Sequence, residues 1–411
     1  MRYYSCDSHL VEAREVFEGL EARFGDSAPR IARDYKGNRG DWLMLPGAPP
    51  IPVGRLGIAG HRLDDPATDE LIARGYEGLN PGVRDPAKRL DEQARDGVCG
   101  EVMYPSLNMF TYAIPDRAVV RAVFERHNDW VVDYCAVAPE RLIGIGCLPL
   151  PDVDAARVEM KRAAHRGVRG FMIPAHVPPE RPYSHPDYDV FWAEAQEMSL
   201  PLTMHIFVGT SWDGGMPAHW GTPSGTIKGY TLAFTTAVNS MIDLICGGVV
   251  ERFPRLKLVI SEFETGWVAH VIQRLDHATY RTPRFAVDYL TMKPSEYFHR
   301  NFCVTFEDDA IGVRTRHEIG LRNLVWGNDY PHHDSIWPNS MPTLARVMAS
   351  VPAAEVEQMC FATAVQMYGV DVHKLPAEPP AAEAASGPRA GRAPTSARGS
   401  RRRPASRGDA R

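Results

Sequence analysis

The chain has 411 residues, of which 44% are hydrophobic and 24% are charged, a composition typical of a globular protein with a large core. Its formal net charge is −5. The segment from Ala377 onwards holds eight arginines and three acidic residues, contributing +5, so the rest of the chain carries −10. This negative body argues against a nucleic-acid partner, and we interpret the basic tail as a solvated segment.

Cysteine usage and hydropathy indicate the compartment. The seven cysteines are dispersed, with no C-x-x-C pair, which favours reduced thiols in a cytoplasmic protein over a disulfide framework. The amino terminus has no apolar signal segment, and no apolar run approaches the roughly 18 residues that span a bilayer. We therefore expect a soluble, cytoplasmic protein with no membrane partner.

Short apolar runs alternate with segments of helical spacing along most of the chain, a pattern that predicts parallel β-α units. The predicted strands are 3–9, 98–104, 142–150, 169–174, 201–207, 256–262, 301–305 and 324–329. The predicted helices are 117–138, 153–164, 187–198, 226–246, 267–280, 310–319, 342–350 and 353–368.

Eight strands that alternate with helices predict an α/β fold, and a closed (β/α)8 TIM barrel leaves no strand edge open. The alternative is a doubly wound open sheet, which would need a glycine-rich turn at the end of the first strand. The chain has Asp7-Ser8-His9-Leu10-Val11 there, which contains no glycine. We predict one barrel domain over 1–375, with an insertion at 10–95 that forms a lid or wall of the site. The Ala/Pro/Arg-rich segment 376–411 is predicted to be disordered.

Polar residues stand near the carboxyl ends of three predicted strands, where α/β barrels carry their chemistry. Asp7 and His9 are two residues apart in the first strand and so point to the same side. His205 lies in the fifth strand, and Asp329 ends the eighth. Carboxylate oxygens and imidazole nitrogens suit one divalent metal ion, with zinc as the first expectation and manganese as the alternative.

Structural roles are open for each of these residues. Asp7 could cap the next helix, His205 could be a hydrogen-bonded core histidine, and Asp329 could form an Asx turn. His332 and His333 follow Asp329 closely, and the sequence does not decide whether they orient it, contact substrate or occupy a turn.

An ordered series of motifs resembles a known family. The segments that carry the resemblance are Asp7-Ser8-His9-Leu10-Val11-Glu12, Arg126-His127-Asn128-Asp129-Trp130, Phe253-Pro254-Arg255-Leu256-Lys257 with Ser261-Glu262 and Gly266-Trp267, and Gly327-Asn328-Asp329-Tyr330-Pro331-His332-His333-Asp334-Ser335. Over residues 1–370 the chain resembles the aminocarboxymuconate-semialdehyde decarboxylase group of the amidohydrolase superfamily. The resemblance implies a metal-dependent barrel enzyme, with Asp7, His9, His205 and Asp329 as ligands, and it implies a homodimer.

Two departures from that family bear on the chemistry. Many members have His-x-His or Glu-x-His where this chain has Asp7 and His9. Decarboxylating members often place a catalytic histidine after the sixth strand, where this chain has Glu262. A glutamate there can act as a general acid or base if burial raises its pKa, or it can be a hydrogen-bonding partner of neighbouring loops.

We therefore predict a mononuclear metal-dependent hydrolase that acts on a small organic acid, ester, lactone or amide. Asp7, His9 and His205 hold the metal, Asp329 accepts a proton from the attacking water, and Glu262 assists the leaving group. The first alternative is a non-oxidative decarboxylase of an aromatic or unsaturated carboxylate. The second is a barrel that has lost its metal and serves as a binding subunit.

Overall fold

A computed structural model of the chain describes residues 1–150, 152–209, 222–282 and 289–377. The strands are β1 (Tyr4–Leu10), β2 (Arg30–Tyr35), β3 (Asn38–Met44), β4 (Ile51–Pro52), β5 (Gly100–Pro105), β6 (Leu142–Gly144), β7 (Gly146–Cys147), β8 (Phe171–Ile173), β9 (Pro201–His205), β10 (Lys257–Ser261), β11 (Phe302–Phe306) and β12 (Leu324–Trp326).

The α-helices alternate with these strands after the first hundred residues. They are α1 (Glu21–Phe24), α2 (Pro66–Ala73), α3 (Pro86–Asp96), α4 (Arg117–Cys135), α5 (Val153–Arg166), α6 (Asp189–Met198), α7 (Pro223–Leu232), α8 (Phe234–Cys246), α9 (Val249–Arg252), α10 (Val268–Arg281), α11 (Pro294–Asn301), α12 (Ala310–Arg314), α13 (Arg316–Ile319), α14 (Ser340–Val347), α15 (Ala353–Glu357) and α16 (Thr363–Tyr368). The side chains of Asp85, Asp116 and Asp152 cap α3, α4 and α5, which fixes where these helices begin.

The barrel strands pair in parallel, in the order β1-β5-β6 and β7-β8-β9-β10-β11-β12. The predicted third strand is β6 and β7, which are interrupted at Ile145; the Ile145 amide bonds to Met103 O, and Gly146 N bonds to Gly170 O. The ring closes between β12 and β1, where the amides of Asn328 and Asp329 both donate to Asp7 O, at 3.0 and 2.8 Å. The predicted (β/α)8 barrel is therefore confirmed.

Strand burial explains why these segments form the barrel. Every residue of β1, β5, β9 and β11 is buried, as parallel strands covered by helices require. Phe171, Leu202, Leu258 and Val304 belong to one large core between the strands and their helices.

The connection between β1 and β5 has structure that the sequence did not predict. Strands β2, β3 and β4 form an antiparallel sheet, and α1 to α3 accompany it. Alternation is weak in these strands, since most residues of β2 are at least partly exposed. The proposed role of 10–95 as a lid stays a prediction.

Three predicted helices are divided. The segment predicted as 226–246 is α7 and α8, separated at Ala233, and 310–319 is α12 and α13, separated at Thr315. The segment predicted as 353–368 is α15 and α16, with a π-helical turn at Gln358–Ala362 between them. The predicted disordered tail lies almost entirely outside the described residues, which end at 377. Within the described part of the chain, every helix is too short or too polar to cross a membrane. All seven cysteines are described, and none forms a disulfide.

Candidate metal centre and active site

The four predicted metal ligands converge at the carboxyl end of the barrel. Asp7 and His9 lie on β1, His205 ends β9, and Asp329 follows β12. All four are buried, with at most 4% of each residue exposed. His205 Nε2 lies 3.4 Å from Asp7 Oδ1, and His9 Nε2 lies 3.4 Å from Asp329 Oδ1. The structure therefore brings together the residues that the sequence placed at three separate strand ends.

Glu262 directly follows β10 and lies between the two histidines. Its Oε2 atom is 3.3 Å from His9 Nε2 and 3.3 Å from His205 Nε2. The candidate ligand residues form two overlapping groups, and within each group the ligand atoms lie within 4.8 Å of one another. One group is Asp7, His9, His205 and Glu262, and the other is His9, Glu262, Asp329 and His332. His9 and Glu262 belong to both groups, so the groups overlap, and Glu262 is itself a candidate ligand. Asp329 does not share a group with Asp7 and His205.

The separations fit a single divalent cation. Around a tetrahedral ion with bonds of about 2.0–2.2 Å, neighbouring ligand atoms lie roughly 3.3–3.6 Å apart. The contacts of Glu262 with both histidines, of His205 with Asp7 and of His9 with Asp329 measure 3.3–3.4 Å. Charge-assisted hydrogen bonds would be shorter, about 2.7–2.9 Å. The donor set of carboxylate oxygens and imidazole nitrogens suits zinc or manganese.

Local backbone geometry places the two carboxylates. Residue 327 is a glycine, and a Cβ atom there would lie 2.2 Å from the Cβ of Asp7, so only glycine lets β12 approach β1 this closely. Glu262 and Asp329 have positive φ angles of 64° and 51°. A non-glycine residue in this region costs on the order of 1–3 kcal/mol, and such strain concentrates at functional sites.

Thr305, at the carboxyl end of β11, joins three strands at the site. Its Oγ1 donates to Asp7 Oδ2 at 2.8 Å and accepts a hydrogen bond from the Glu262 amide at 2.8 Å. Asp7 Oδ1 thus remains directed toward His205. Thr305 was not among the predicted site residues, although its position at the end of the predicted seventh strand is a usable signal.

The orientation of the histidines is fixed by their second ring nitrogens. His205 Nδ1 lies 3.2 Å from the Ile206 carbonyl, which can only accept, so Nδ1 carries the hydrogen and Nε2 faces the carboxylates. The ring of His332 packs on that of His9 with centroids 3.9 Å apart. His332 is buried, whereas His333 is exposed. The structure therefore separates two histidines that the sequence could not distinguish.

Burial and crowding of carboxylates set the protonation of the site. Burial, with the charges of Asp329 and Asp7, raises the pKa of Glu262 well above its usual value. Burial also raises the pKa of Asp329, and Asp7 and Asp334 add to this effect. Burial lowers the pKa of His9 to about 4, so its imidazole is neutral at pH near 7.

Asp7 and His205 are shifted by each other. Burial raises the pKa of Asp7, but hydrogen bonds from His205 and His9 outweigh it, and the pKa lies below its usual range. Burial lowers the pKa of His205, but Asp7 and Glu262 outweigh this effect and raise it. The raised pKa values of His205 and Asp329 favour their protonated forms, which would compete with a metal for these side chains.

We expect metal affinity to fall as the pH is lowered. The raised pKa values of His205 and Asp329 mean that metal affinity is greatest above these pKa values and is lost as the pH falls through them. Each displaced proton weakens apparent binding by about tenfold per pH unit below the pKa concerned. Calorimetric titration with Mn²⁺ in buffers of different ionisation enthalpy measures both affinity and proton release. Binding that releases no protons and does not vary with pH would contradict this expectation.

Buried histidines and carboxylates at the carboxyl end of a (β/α)8 barrel define a metal-dependent enzyme. The Amidohydrolase family model matches residues 81–370, and the chain belongs to this family. The resemblance drawn from the motifs is thereby confirmed. The enzyme is a metal-dependent member of the amidohydrolase superfamily, in the part of it that includes hydrolases and carboxy-lyases.

Two curated relatives are decarboxylases. The chain is 28% identical over 270 residues to the γ-resorcylate decarboxylase of Rhizobium sp. (strain MTP-10005). This alignment covers 58% of this chain and 76% of that protein. It is 26% identical over 264 residues to the 2-amino-3-carboxymuconate-6-semialdehyde decarboxylase of Dictyostelium discoideum, and the alignment covers 62% of this chain and 69% of that protein.

Solved structures share the fold. An amidohydrolase from Mycobacterium avium subsp. paratuberculosis superposes with a TM-score of 0.71 at 20% identity, over 90% of this chain and 99% of that one. A second neighbour is the 5-carboxyvanillate decarboxylase of Novosphingobium aromaticivorans, complexed with manganese and 4-hydroxy-3-methoxy-5-nitrobenzoic acid. It superposes with a TM-score of 0.63 at 17% identity, over 90% of this chain and 96% of that one. The ligand cluster supports a divalent metal, while the preference for zinc stays a prediction.

Proposed function

We propose that the chain is a metal-dependent, non-oxidative decarboxylase that removes a carboxyl group as carbon dioxide from a hydroxylated aromatic or unsaturated carboxylic acid. The observation that carries this proposal is Glu262, a carboxyl group with a raised pKa beside the candidate metal ligands. Decarboxylation needs such a proton donor beside the carbon that loses its carboxyl group. The sequence favoured hydrolysis, but both curated relatives described above are decarboxylases, and that preference has no support from them.

The residues of the chain can perform the proton transfer. Glu262 gives its proton to the substrate carbon that bears the carboxylate, and the bond between that carbon and the carboxylate then breaks. The electron pair of the broken bond stays on the ring or alkene, carbon dioxide leaves, and Glu262 regains a proton from solvent. The net reaction consumes one proton. A divalent cation held by Asp7, His9, His205 and Asp329 would supply a Lewis acid that binds and polarises the substrate's oxygen atoms.

The pocket beside the site is acidic. It encloses about 350 Å³, including space open to solvent, and is lined by Asp7, Tyr230, Glu262, Glu264, Thr305, Phe306, Glu307, Asp329 and Asp334. No arginine or lysine belongs to this described lining. The substrate's carboxylate would therefore have to be received by the cation, while hydroxyl groups of the substrate could donate to Glu307 and Asp334. This arrangement favours a hydroxylated acid over a compound with several carboxylates.

A substrate panel tests the proposal. Protein loaded with Mn²⁺ or Zn²⁺ is incubated with γ-resorcylate, 5-carboxyvanillate, other hydroxybenzoates, simple esters and lactones. We expect carbon dioxide and the matching phenol in equal amounts, with one deuterium on the former carboxyl-bearing carbon when the reaction is run in D₂O. Metal-stripped protein is the control and should be inactive. Turnover of esters or lactones without carbon dioxide would reject the proposal in favour of hydrolysis.

A further inference from the structure

Glu12 is a fully buried carboxylate in the first motif, two residues beyond β1, and the proposed chemistry does not use it. Its two oxygens accept hydrogen bonds from the backbone amides of Leu107 and Asn108, at 2.8 and 2.9 Å. The nearest described histidine nitrogen, His127 Nδ1, lies 3.7 Å from Glu12 Oε1. Glu12 therefore serves mainly as an acceptor that holds the loop after β5 against the end of β1.

This loop reaches the metal centre through Ser106. The Ser106 amide bonds to Leu10 O at 2.9 Å, and its hydroxyl lies 3.0 Å from His332 Nε2. On the other side of the ring, His332 Nδ1 lies 2.8 Å from Asp329 Oδ1. Ser106 Oγ and His332 Nε2 lie within hydrogen-bond distance, and His332 Nδ1 makes a close polar contact with the Asp329 carboxylate.

We propose that Glu12, Ser106 and His332 are positioning residues that hold the Asp329 carboxylate in the orientation required to bind the metal. The inference rests on the metal site in the proposed function. Glu12 and Ser106 belong to neither group of candidate metal ligands, whereas His332 belongs to one of them. Asp329 stands on a backbone turn with positive φ, outside β12, so the strand alone does not fix its side chain. The 2.8 Å contact with His332 Nδ1 restricts the carboxylate of Asp329, and Ser106 holds the ring of His332 from the other side.

Metal affinity tests the inner part of this chain of contacts without requiring turnover. Loss of an outer hydrogen bond to a metal ligand typically costs about 10–100-fold in affinity. We expect His332→Phe to weaken Mn²⁺ binding by about 10–100-fold. His332→Asn places an amide donor near the position of Nδ1 and should recover most of that loss. Ser106→Ala, a small change that leaves the loop amides in place, should weaken binding by roughly 3–10-fold.

Glu12→Gln tests the outer part. It replaces one acceptor oxygen with an NH₂ group, so either Leu107 or Asn108 loses its partner, and we expect Mn²⁺ affinity to fall by about tenfold. Asp309→Asn is the matched control. Asp309 is a buried carboxylate whose oxygens accept from the Thr265 and Gly312 amides, at 2.7 and 2.8 Å. This control should lower thermal stability but change Mn²⁺ affinity by less than about threefold.

Two results would overturn the inference: His332→Phe and His332→Asn binding Mn²⁺ as wild type does, or Glu12→Gln and Asp309→Asn changing affinity equally. Failure of the proposed function looks different. Wild type that binds Mn²⁺ with the expected order of variants, yet releases no carbon dioxide, would reject decarboxylation and support the positioning role.

Discussion

Replacing Glu262 with glutamine is expected to lower the rate of carbon dioxide release by about 10²–10⁴-fold, the range typical of a lost general acid. Glutamine has nearly the same shape but carries no acidic proton. Its side-chain oxygen can still face His9 and His205, which lie 3.3 Å from Glu262 Oε2 in wild type. Single-turnover assays of E262Q with a substrate from the panel measure the effect on the chemical step.

The pH profile separates an acid from a base at this position. Because the pKa of Glu262 is raised, its acid form persists to higher pH than usual, and the rate of decarboxylation should fall as the pH rises through that pKa. A hydrolase that relies on Asp329 as a base would instead gain rate as the pH rises. A rate that increases with pH, and a modest loss in E262Q, would speak against Glu262 as the proton donor.

Glu264→Gln is a matched control for E262Q. Glu264 lines the same pocket and also has a positive φ of 51°, but its carboxylate accepts from the Glu307 and Asp308 amides, at 3.2 and 3.3 Å. It belongs to neither of the candidate metal groups. We expect a loss of less than about tenfold, because no proton donation is removed. Equal losses in the two variants would point to a general effect of pocket charge.

The barrel and its principal site residues could be predicted because both follow from local sequence. Buried parallel strands are continuous apolar runs, and the carboxyl ends of such strands meet at one rim. This rule alone places Asp7, His205 and Asp329 together although nearly two hundred residues separate Asp7 from His205. Glu262 follows from the same rule. Its contact with both histidines does not, since that depends on the positive φ that turns the chain after β10.

Several supporting features could not be predicted, and the reason is physical. Ser106 is an ordinary polar residue outside the predicted strands, and its importance comes only from what lies opposite it in the folded chain. The sheet of β2, β3 and β4 was missed because most of its residues are at least partly exposed, so the alternating apolar pattern is weak. Arg89 is the clearest case, because a charged side chain on a polar helix is normally assigned to the surface.

Arg89→Met is expected to destabilise the protein by about 3–5 kcal/mol, the usual cost of leaving a buried charge without its partner. Arg89 is fully buried on α3, and its Nε donates to Glu101 Oε2 at 2.6 Å. Its Nη1 donates to His9 O at 2.9 Å, and the guanidinium lies over the ring of Tyr330. One side chain of the long insertion thus ties together β1, β5 and the loop that carries Asp329. Urea unfolding followed by fluorescence gives the free energy of unfolding.

Two further variants show whether the unpaired charge is the cause. In R89M/E101Q both charges are absent, and we expect much of the lost stability to return, since replacing a whole buried pair is far less harmful than breaking it. Arg84→Met breaks a pair with Glu77 in which both side chains are at least half exposed, and it should cost about 1 kcal/mol or less. A double variant no more stable than R89M would instead assign the loss to the hydrogen bond with His9 O. In that event the insertion would stabilise the barrel chiefly through the strand that carries Asp7 and His9, and Mn²⁺ affinity should fall in both variants alike.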